Sequence, residues 1–317
     1  MNRKQLGNSG LHVSSICLGG NVFGWTIDEK KSFEVLTAFV DRGGNFIDTA
    51  DVYSRWVPGN KGGESEIIIG NWLKKNGGRE TVVIATKAGS DMGRGEGKTL
   101  RKDYILKAAD ESLQRLQTDY IDLYQTHYDD ENLPVDEVLE AYYELTKAGK
   151  IKWVGTSNMS AERLKQSLSK SEEKGFPIYQ TLQPEYNLYA REHFEKTYQN
   201  ICEEHNVSVI PYYSLASGFL TGKYRSESDL NKSQRGGGIK KYLNDRGFRI
   251  LSALDEVSKR YNTTSATVSL AWLMEQQTVV APIASATSKE QLQSLTDAVE
   301  LKLDKEALDV LNDSSRY

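Results

Sequence analysis

Eight short apolar runs alternate with longer amphipathic segments along this chain. The runs are ICLGG (16–20), NFIDTA (45–50), TVVIATK (81–87), YIDLYQTH (120–127), WVGTSN (153–158), YQTLQPEY (179–186), VSVIPYYS (207–214) and VVAPIA (279–284). Most are continuously apolar, whereas a strand with one wet face alternates. Continuous runs belong to parallel strands covered on both faces. The intervening segments 28–44, 64–75, 99–116, 134–149, 160–175 and 193–205 place apolar residues at three- and four-residue steps, the period of a helix. Segments 248–261 and 267–277 precede the last run. Asp28 reads as an N-cap and Pro134 suits a first turn, while Gly43-Gly44, Gly149 and Gly175 read as stops.

Eight strands with intervening helices predict an α/β fold, a single (β/α)8 TIM barrel over residues 1–317. An open doubly wound sheet is the alternative, but it wants a G-x-G-x-x-G turn after its first strand, which LGGNVFG does not supply. Ahead of the first strand, RKQLGNSGLHVSS predicts a β-hairpin turning at Asn8-Ser9-Gly10, placed to plug the barrel's N-terminal mouth. One long loop follows strand 7. Residues 214–247 are glycine-rich and basic, and loops longer than about 12–15 residues are uncommon unless functional or disordered. Its position at the C-terminal end of the barrel predicts a lid or a ligand-binding loop.

Composition narrows the function. Hydrophobic residues make 38% and charged residues 26%, values ordinary for a soluble globular chain. A net charge of −4 argues against nucleic-acid binding, which usually needs a basic face. The N-terminus has no apolar signal core and no stretch approaches the ~20 apolar residues of a membrane span, so no membrane association and a cytoplasmic location are expected. Cys17 and Cys202 are spaced for neither a disulfide framework nor a zinc site. GRGEGKT (93–99) has one residue too few for a P-loop, G-x-S-x-G is absent, and the four histidines are scattered. No catalytic metal is expected.

Four polar residues fall at or just past the ends of consecutive strands: Asp48 and Tyr53, then Lys87, then His127. Neighbouring strands of one barrel would bring them to one mouth. They supply a carboxylate, a phenol, an ammonium and an imidazole, a set able to protonate a carbonyl oxygen while hydride is added to its carbon. Tyr53 is the acid. A nearby cation, Lys87, should lower its pKa from ~10, and Asp48 should balance that lysine. His127 would donate to the substrate oxygen or share the proton. The hydride must come from a cofactor. Each residue alone has a plainer reading: a packing tyrosine, a capping aspartate, a hydrogen-bonded histidine, a solvated lysine. A Schiff-base Lys87 is a further alternative. Their joint order on strands two, three and four favours the shared site.

The chain resembles the aldo-keto reductases from Lys4 to about Leu311. The resemblance rests on LGG with a nearby FGW, GxNFIDTADVY, the ATK strand end, IDLYQTH, GKIKWVGTSN, QPEYNL and YSLASGFLTGKY. Loop composition is similar to the bacterial branch that also resembles voltage-gated potassium-channel β-subunits. The resemblance implies the barrel and a catalytic tetrad at Asp48, Tyr53, Lys87 and His127. It also implies an extended nicotinamide dinucleotide, NADP(H) rather than NAD(H). Ser157, Asn158 and Gln183 would hold the carboxamide and Tyr213 would stack on the nicotinamide. Ser214, Leu215, Ala216, Gly218 and Lys223 would wrap the pyrophosphate, with Arg235 beyond them and Gly20 in the LGG motif. Ser285, Thr287 and Gln291 match the adenosine end, but Ser294 and Leu295 stand where the family carries Glu and Asn. Lys289 is a candidate point charge for a 2′-phosphate. Phe23, Trp25, Trp56, Tyr128 and Asp129 are candidates for the pocket of a small-molecule carbonyl or alcohol substrate. A cofactor-sensing subunit with little turnover is the second expectation. Natural substrate and oligomeric state are not encoded in any motif.

Overall fold

A computed structural model describes residues 1–232 and 236–317. Strands β1 (Arg3–Gln5) and β2 (His12–Ser14) form an antiparallel hairpin. The remaining strands are β3 (Cys17–Gly19), β4 (Phe46–Asp48), β5 (Val83–Ala88), β6 (Ile121–Thr126), β7 (Ile151–Ser157), β8 (Tyr179–Gln183), β9 (Ser208–Val209) and β10 (Ile283–Ala284). They make an eight-stranded parallel sheet in the order β10-β3-β4-β5-β6-β7-β8-β9. The sheet closes on itself: Val209 N donates to Thr278 O at 2.8 Å, Val280 N to Val209 O at 2.9 Å, and Ile283 N to Pro211 O at 2.9 Å. The (β/α)8 barrel is therefore present.

Helices α1 (Glu29–Asp41), α2 (Glu64–Asn76), α3 (Lys102–Leu116), α4 (Val135–Lys147), α5 (Ala161–Lys174), α6 (Glu192–Thr197), α7 (Gln199–Glu204), α8 (Asp245–Arg260), α9 (Ser265–Met274), α10 (Lys289–Glu300) and α11 (Lys305–Ser314) surround it. Asp28 accepts from Lys31 N at 2.8 Å, and Ser160, Asn244, Thr264, Ser288 and Asp304 cap their helices likewise. Each cap stabilises its helix by about 1 kcal/mol. The amphipathic segment 193–205 is broken at Tyr198 into α6 and α7. Among the described residues no helix is long and apolar enough to cross a membrane.

Two cores result from strand alternation. The barrel interior at its lower end holds Cys17, Phe46, Val83, Ala85 and Leu123 together with Leu6 and Val13 of the hairpin. The hairpin thus closes the N-terminal mouth. Gly7 N donates to Ser208 Oγ at 2.7 Å and Ser14 N to Asn45 Oδ1 at 2.8 Å, which ties the plug to the barrel wall. A larger core fills the space between sheet and helices.

The described residues of the 214–247 segment are built rather than loose. Short 3-10 turns at Ala216–Thr221, Glu227–Lys232, Gly236–Gly238 and Lys240–Tyr242 fold it down, and Phe219, Leu220, Tyr224, Ile239 and Tyr242 are buried. Its apolar anchors, hidden among glycines and lysines, account for the order.

Candidate active site

Side chains two apart on a strand share a face. Climbing the barrel interior, Phe46 leads to Asp48, Val83 and Ala85 to Lys87, Leu123 to Gln125 and then His127, and Thr181 to Gln183. The apolar floor therefore becomes polar at the C-terminal ends, where barrel sites form. Gly155 fits this crowded level because a Cβ there would lie 2.1 Å from Thr181 Oγ1.

Lys87 and Asp48 form the centre. Their ammonium and carboxylate are 2.7 Å apart with side chains 0% and 2% exposed. Lys87 Nζ also donates to Thr49 O at 2.7 Å and to Tyr53 Oη at 3.2 Å. Asp48 Oδ1 accepts from Gln183 Nε2 at 3.0 Å and Gln125 Nε2 at 3.2 Å. A buried ion pair persists when its remaining valences are filled in this way. Burial opposes the charge on Lys87, yet Asp48 and Tyr53 outweigh it and the lysine's pKa is raised.

On the opposite face of the same strands, a second polar network braces the site. Thr49 Oγ1 donates to Ser65 Oγ and Ser65 Oγ to Gly20 O, each at 2.8 Å. Thr86 Oγ1 donates to Glu66 Oε1 at 2.5 Å, and Arg115 Nε to Glu66 Oε2 at 2.6 Å. Gly20 is packed so closely that a Cβ would meet Ser65 Oγ at 2.9 Å.

The Tyr53 phenol departs from the sequence expectation. Lys87 pulls its pKa down, but burial pushes it up and the Asp48 charge adds to that push, leaving it at about 12. Tyr53 therefore holds its proton firmly at neutral pH. His127 is 9% exposed and its Nδ1 has no hydrogen-bond partner among the described residues. Burial, with Lys87 and Lys98 repelling a second positive charge, drives its pKa well below the ordinary value. The imidazole is neutral. Its ring lies edge-on to Tyr53 at 6.0 Å. The four residues predicted to meet do meet, and the mouth between Tyr53 and His127 offers one proton donor and one neutral polar ring.

The predicted cofactor residues are placed as follows. Asn158 Nδ2 donates to His127 O at 2.8 Å and to Ser157 Oγ at 3.1 Å, and Ser157 Oγ donates to Gln183 O at 2.8 Å. Asn158, Ser157 and Gln183 thus form one chain beside the tetrad. Among the described residues no donor satisfies Gln183 Oε1, and Asn158 Oδ1 receives only a long 3.4 Å bond from Tyr212 Oη. Two amide oxygens remain for an incoming carboxamide. Tyr213 is 50% exposed, and Asn187 Nδ2 holds its carbonyl at 3.0 Å while its φ is +51°. A half-exposed ring beside a buried polar site suits stacking on a flat ligand. Ser214 is buried with its Oγ on Pro211 O. Leu215 opens a turn in which Ala216, Ser217 and Gly218 take φ of +47°, +58° and +100°, a left-handed bend of the kind that forms anion-binding concavities. Lys223 Nζ lies over the Tyr224 ring at 5.0 Å. Ser285 Oγ donates to Asn21 Oδ1 at 2.6 Å, and Gln291 Oε1 accepts from Thr287 N and Oγ1. Arg235 lies outside the described residues. The donor set of these groups fits a nicotinamide dinucleotide.

The predicted pocket residues divide. Trp25 and Trp56 meet edge-on at 5.5 Å, Trp56 meets Tyr53 at 5.9 Å, and Tyr128 stacks on His127 at 5.0 Å. Phe23 is fully buried in the core. Both carboxylate oxygens of Asp129 are taken by Arg163, at 2.8 and 3.1 Å. Gln125, Glu66, Asn187 and Asn21 escaped the sequence reading. Gln125 had a signal, since it stands two residues before His127 on one strand.

The sequence model of the aldo/keto reductase family matches residues 15–315. An uncharacterized oxidoreductase, YrpG of Bacillus subtilis (strain 168), is 34% identical over 97% of this chain and 94% of its own. A probable voltage-gated potassium channel subunit beta of Arabidopsis thaliana is 31% identical over 95% of this chain and 92% of its own. The NADP(+) aryl-alcohol dehydrogenase of Phanerodontia chrysosporium is 28% identical over 96% of this chain and 83% of its own.

Proposed function

This chain belongs to the aldo/keto reductase family, and from that premise we propose that it interconverts aldehydes or ketones and alcohols with NADP(H), Tyr53 donating the proton. The observation that carries this reading is the buried contact of Lys87 with Asp48 and with the Tyr53 hydroxyl. Bound NADPH would supply the hydride. Ser157, Asn158 and Gln183 would orient the carboxamide, Tyr213 would pack on the ring, and the 214–218 turn with Lys223 would hold the pyrophosphate. Tyr53 keeps its proton until a carbonyl oxygen arrives, because burial raises its pKa to about 12. Neutral His127 donates a hydrogen bond to the same oxygen. Lys87 stabilises the phenolate left when the proton moves, and Asp48, Gln125 and Gln183 hold that lysine in register. In alcohol oxidation the phenolate accepts the proton instead.

A preference for NADP(H) is supported by exposed Lys289 at the start of α10 and by the NADP(+) in the name of the Phanerodontia relative. The substrate class is a small aldehyde or ketone. The test is loss of reduced-nicotinamide absorbance with an activated aromatic aldehyde, NADPH and NADH in parallel. Faster loss with NADPH supports the full reading. The Arabidopsis relative motivates a second reading, a cofactor-sensing subunit. Tight NADPH binding with no turnover over a broad carbonyl panel would favour it.

A further inference from the structure

One stack at the mouth is not used by the chemistry above. Lys98, on the loop after β5, places its ammonium 3.8 Å from the centre of the Tyr128 ring. Tyr128 in turn stacks on His127, with ring centres 5.0 Å apart and planes at 24°. A single ring, Tyr128, therefore touches both the cation and the His127 imidazole. The field of the cation reaches that imidazole, since Lys98 is one of the charges that hold His127 neutral. Lys98 is exposed, and among the described residues no carboxylate pairs with it, although Glu96 is two residues away on the same loop. A second cation reaches the loop that carries Lys98. The Arg55 guanidinium lies against Gly93, where a Cβ would come within 2.5 Å of Nη1, and Arg55 makes no ion pair among the described residues. On the Tyr53 side of the mouth, Trp56 meets Tyr53 at 5.9 Å and Trp25 meets Trp56 edge-on at 5.5 Å.

An ammonium without a carboxylate partner, held on a ring that stacks on His127, is a recognition element for a ligand with a negative end. We propose that the mouth selects aromatic carbonyl substrates carrying a carboxylate, with Lys98 as the specificity residue. The carbonyl would face Tyr53 and His127, the ring would pack against Trp56 beside Tyr53, and the carboxylate would reach Lys98 above Tyr128. Lysine acts here as a point charge on a flexible stem, so the site tolerates variation in where the carboxylate lies. The inference rests on the carbonyl reductase reading for its reaction, but the charge recognition is separable from turnover.

The test compares benzaldehyde with para-carboxybenzaldehyde, a pair differing in one charged group, in the wild type, Lys98→Met and Lys98→Arg. The wild type is expected to favour the carboxylate through KM. Lys98→Met should reduce that preference, as the ratio of kcat/KM values, by about fivefold, the size of one solvent-screened ion pair. Lys98→Arg should retain it. Salt that shortens the Debye length to about 3 Å should abolish the wild-type preference. A preference that is absent, or unmoved by Lys98→Met, overturns the inference and leaves the reductase reading standing. If neither aldehyde is reduced by any variant, the reductase reading fails. Binding of para-carboxybenzaldehyde, read from quenching of tryptophan fluorescence, then decides the recognition: Lys98-dependent quenching upholds it, and Lys98-independent quenching or none overturns it.

Discussion

The Lys87 ammonium lies 2.7 Å from Asp48 Oδ2 in a site where neither side chain is more than 2% exposed. Removing one partner leaves an uncompensated buried charge. Asp48→Asn is expected to cost about 3–5 kcal/mol of stability, as a lowered denaturant midpoint with an unchanged slope. The sign follows from Lys87. Its folded pKa is raised, so its contribution is complete below the ordinary value of 10.5 and is lost only as pH rises through the folded one. At neutral pH the wild type has all of it, and Asp48→Asn should unfold more readily there.

Asp51 has the same sign of pH linkage, but its substitution should shift stability in the opposite direction. It is 2% exposed, its Oδ1 has no partner among the described residues, and burial with nearby Glu66 raises its pKa despite Arg115. A raised carboxyl contributes stability below its ordinary value of 3.8 and loses it as pH climbs through the folded value. Asp51→Asn removes the ionisation. A gain of about 1 kcal/mol, growing toward alkaline pH, is expected in melts followed against pH. A loss of stability that deepens with pH would show that the carboxylate is instead held ionised.

His127 should not titrate in the working range. Burial, then Lys87 and Lys98, keep it neutral, so the pH profile of kcat/KM should show no inflection near 6.5. His127→Gln is expected to lower kcat by about 100-fold, the size of one lost oxyanion donor, with cofactor affinity unchanged. An inflection near 6.5 that disappears in His127→Gln would mean that the imidazolium acts.

Tyr213 should report on the cofactor. Tyr213→Ala is expected to weaken NADPH binding about fivefold, an aromatic contact of ~1 kcal/mol, while Tyr213→Phe binds normally. Equal affinities by fluorescence titration would remove the ring from the site.

Much of this was legible in the sequence, and the failures have physical causes. Asp48, Lys87 and His127 sit where strand ends and side-chain alternation put them, and the barrel follows from eight continuous apolar runs. Gln125 was legible by the same alternation but went unread, because a glutamine inside a strand looks like ordinary polarity. The direction of the Tyr53 shift was not legible: it depends on how burial and Asp48 together weigh against Lys87, a balance fixed by packing. Asp129 gave no sign that Arg163, 34 positions away, would take both its oxygens. In residues 214–247 the anchors Phe219, Leu220, Ile239 and Tyr242 are too sparse to form a period, so the segment read as loop although they bury fully.

The most direct measurement is the steady-state rate of aldehyde reduction by Tyr53→Phe beside the wild type, with NADPH affinity measured in both. The hydroxyl is the one group lost, and Lys87 keeps Asp48 and the Thr49 carbonyl. A fall in kcat of about 100- to 10,000-fold with NADPH affinity unchanged is the expected result, the range for loss of a positioned proton donor. A Tyr53→Phe enzyme that reduces the aldehyde at the wild-type rate would contradict Tyr53 as the acid and, with it, the reaction assigned to this site.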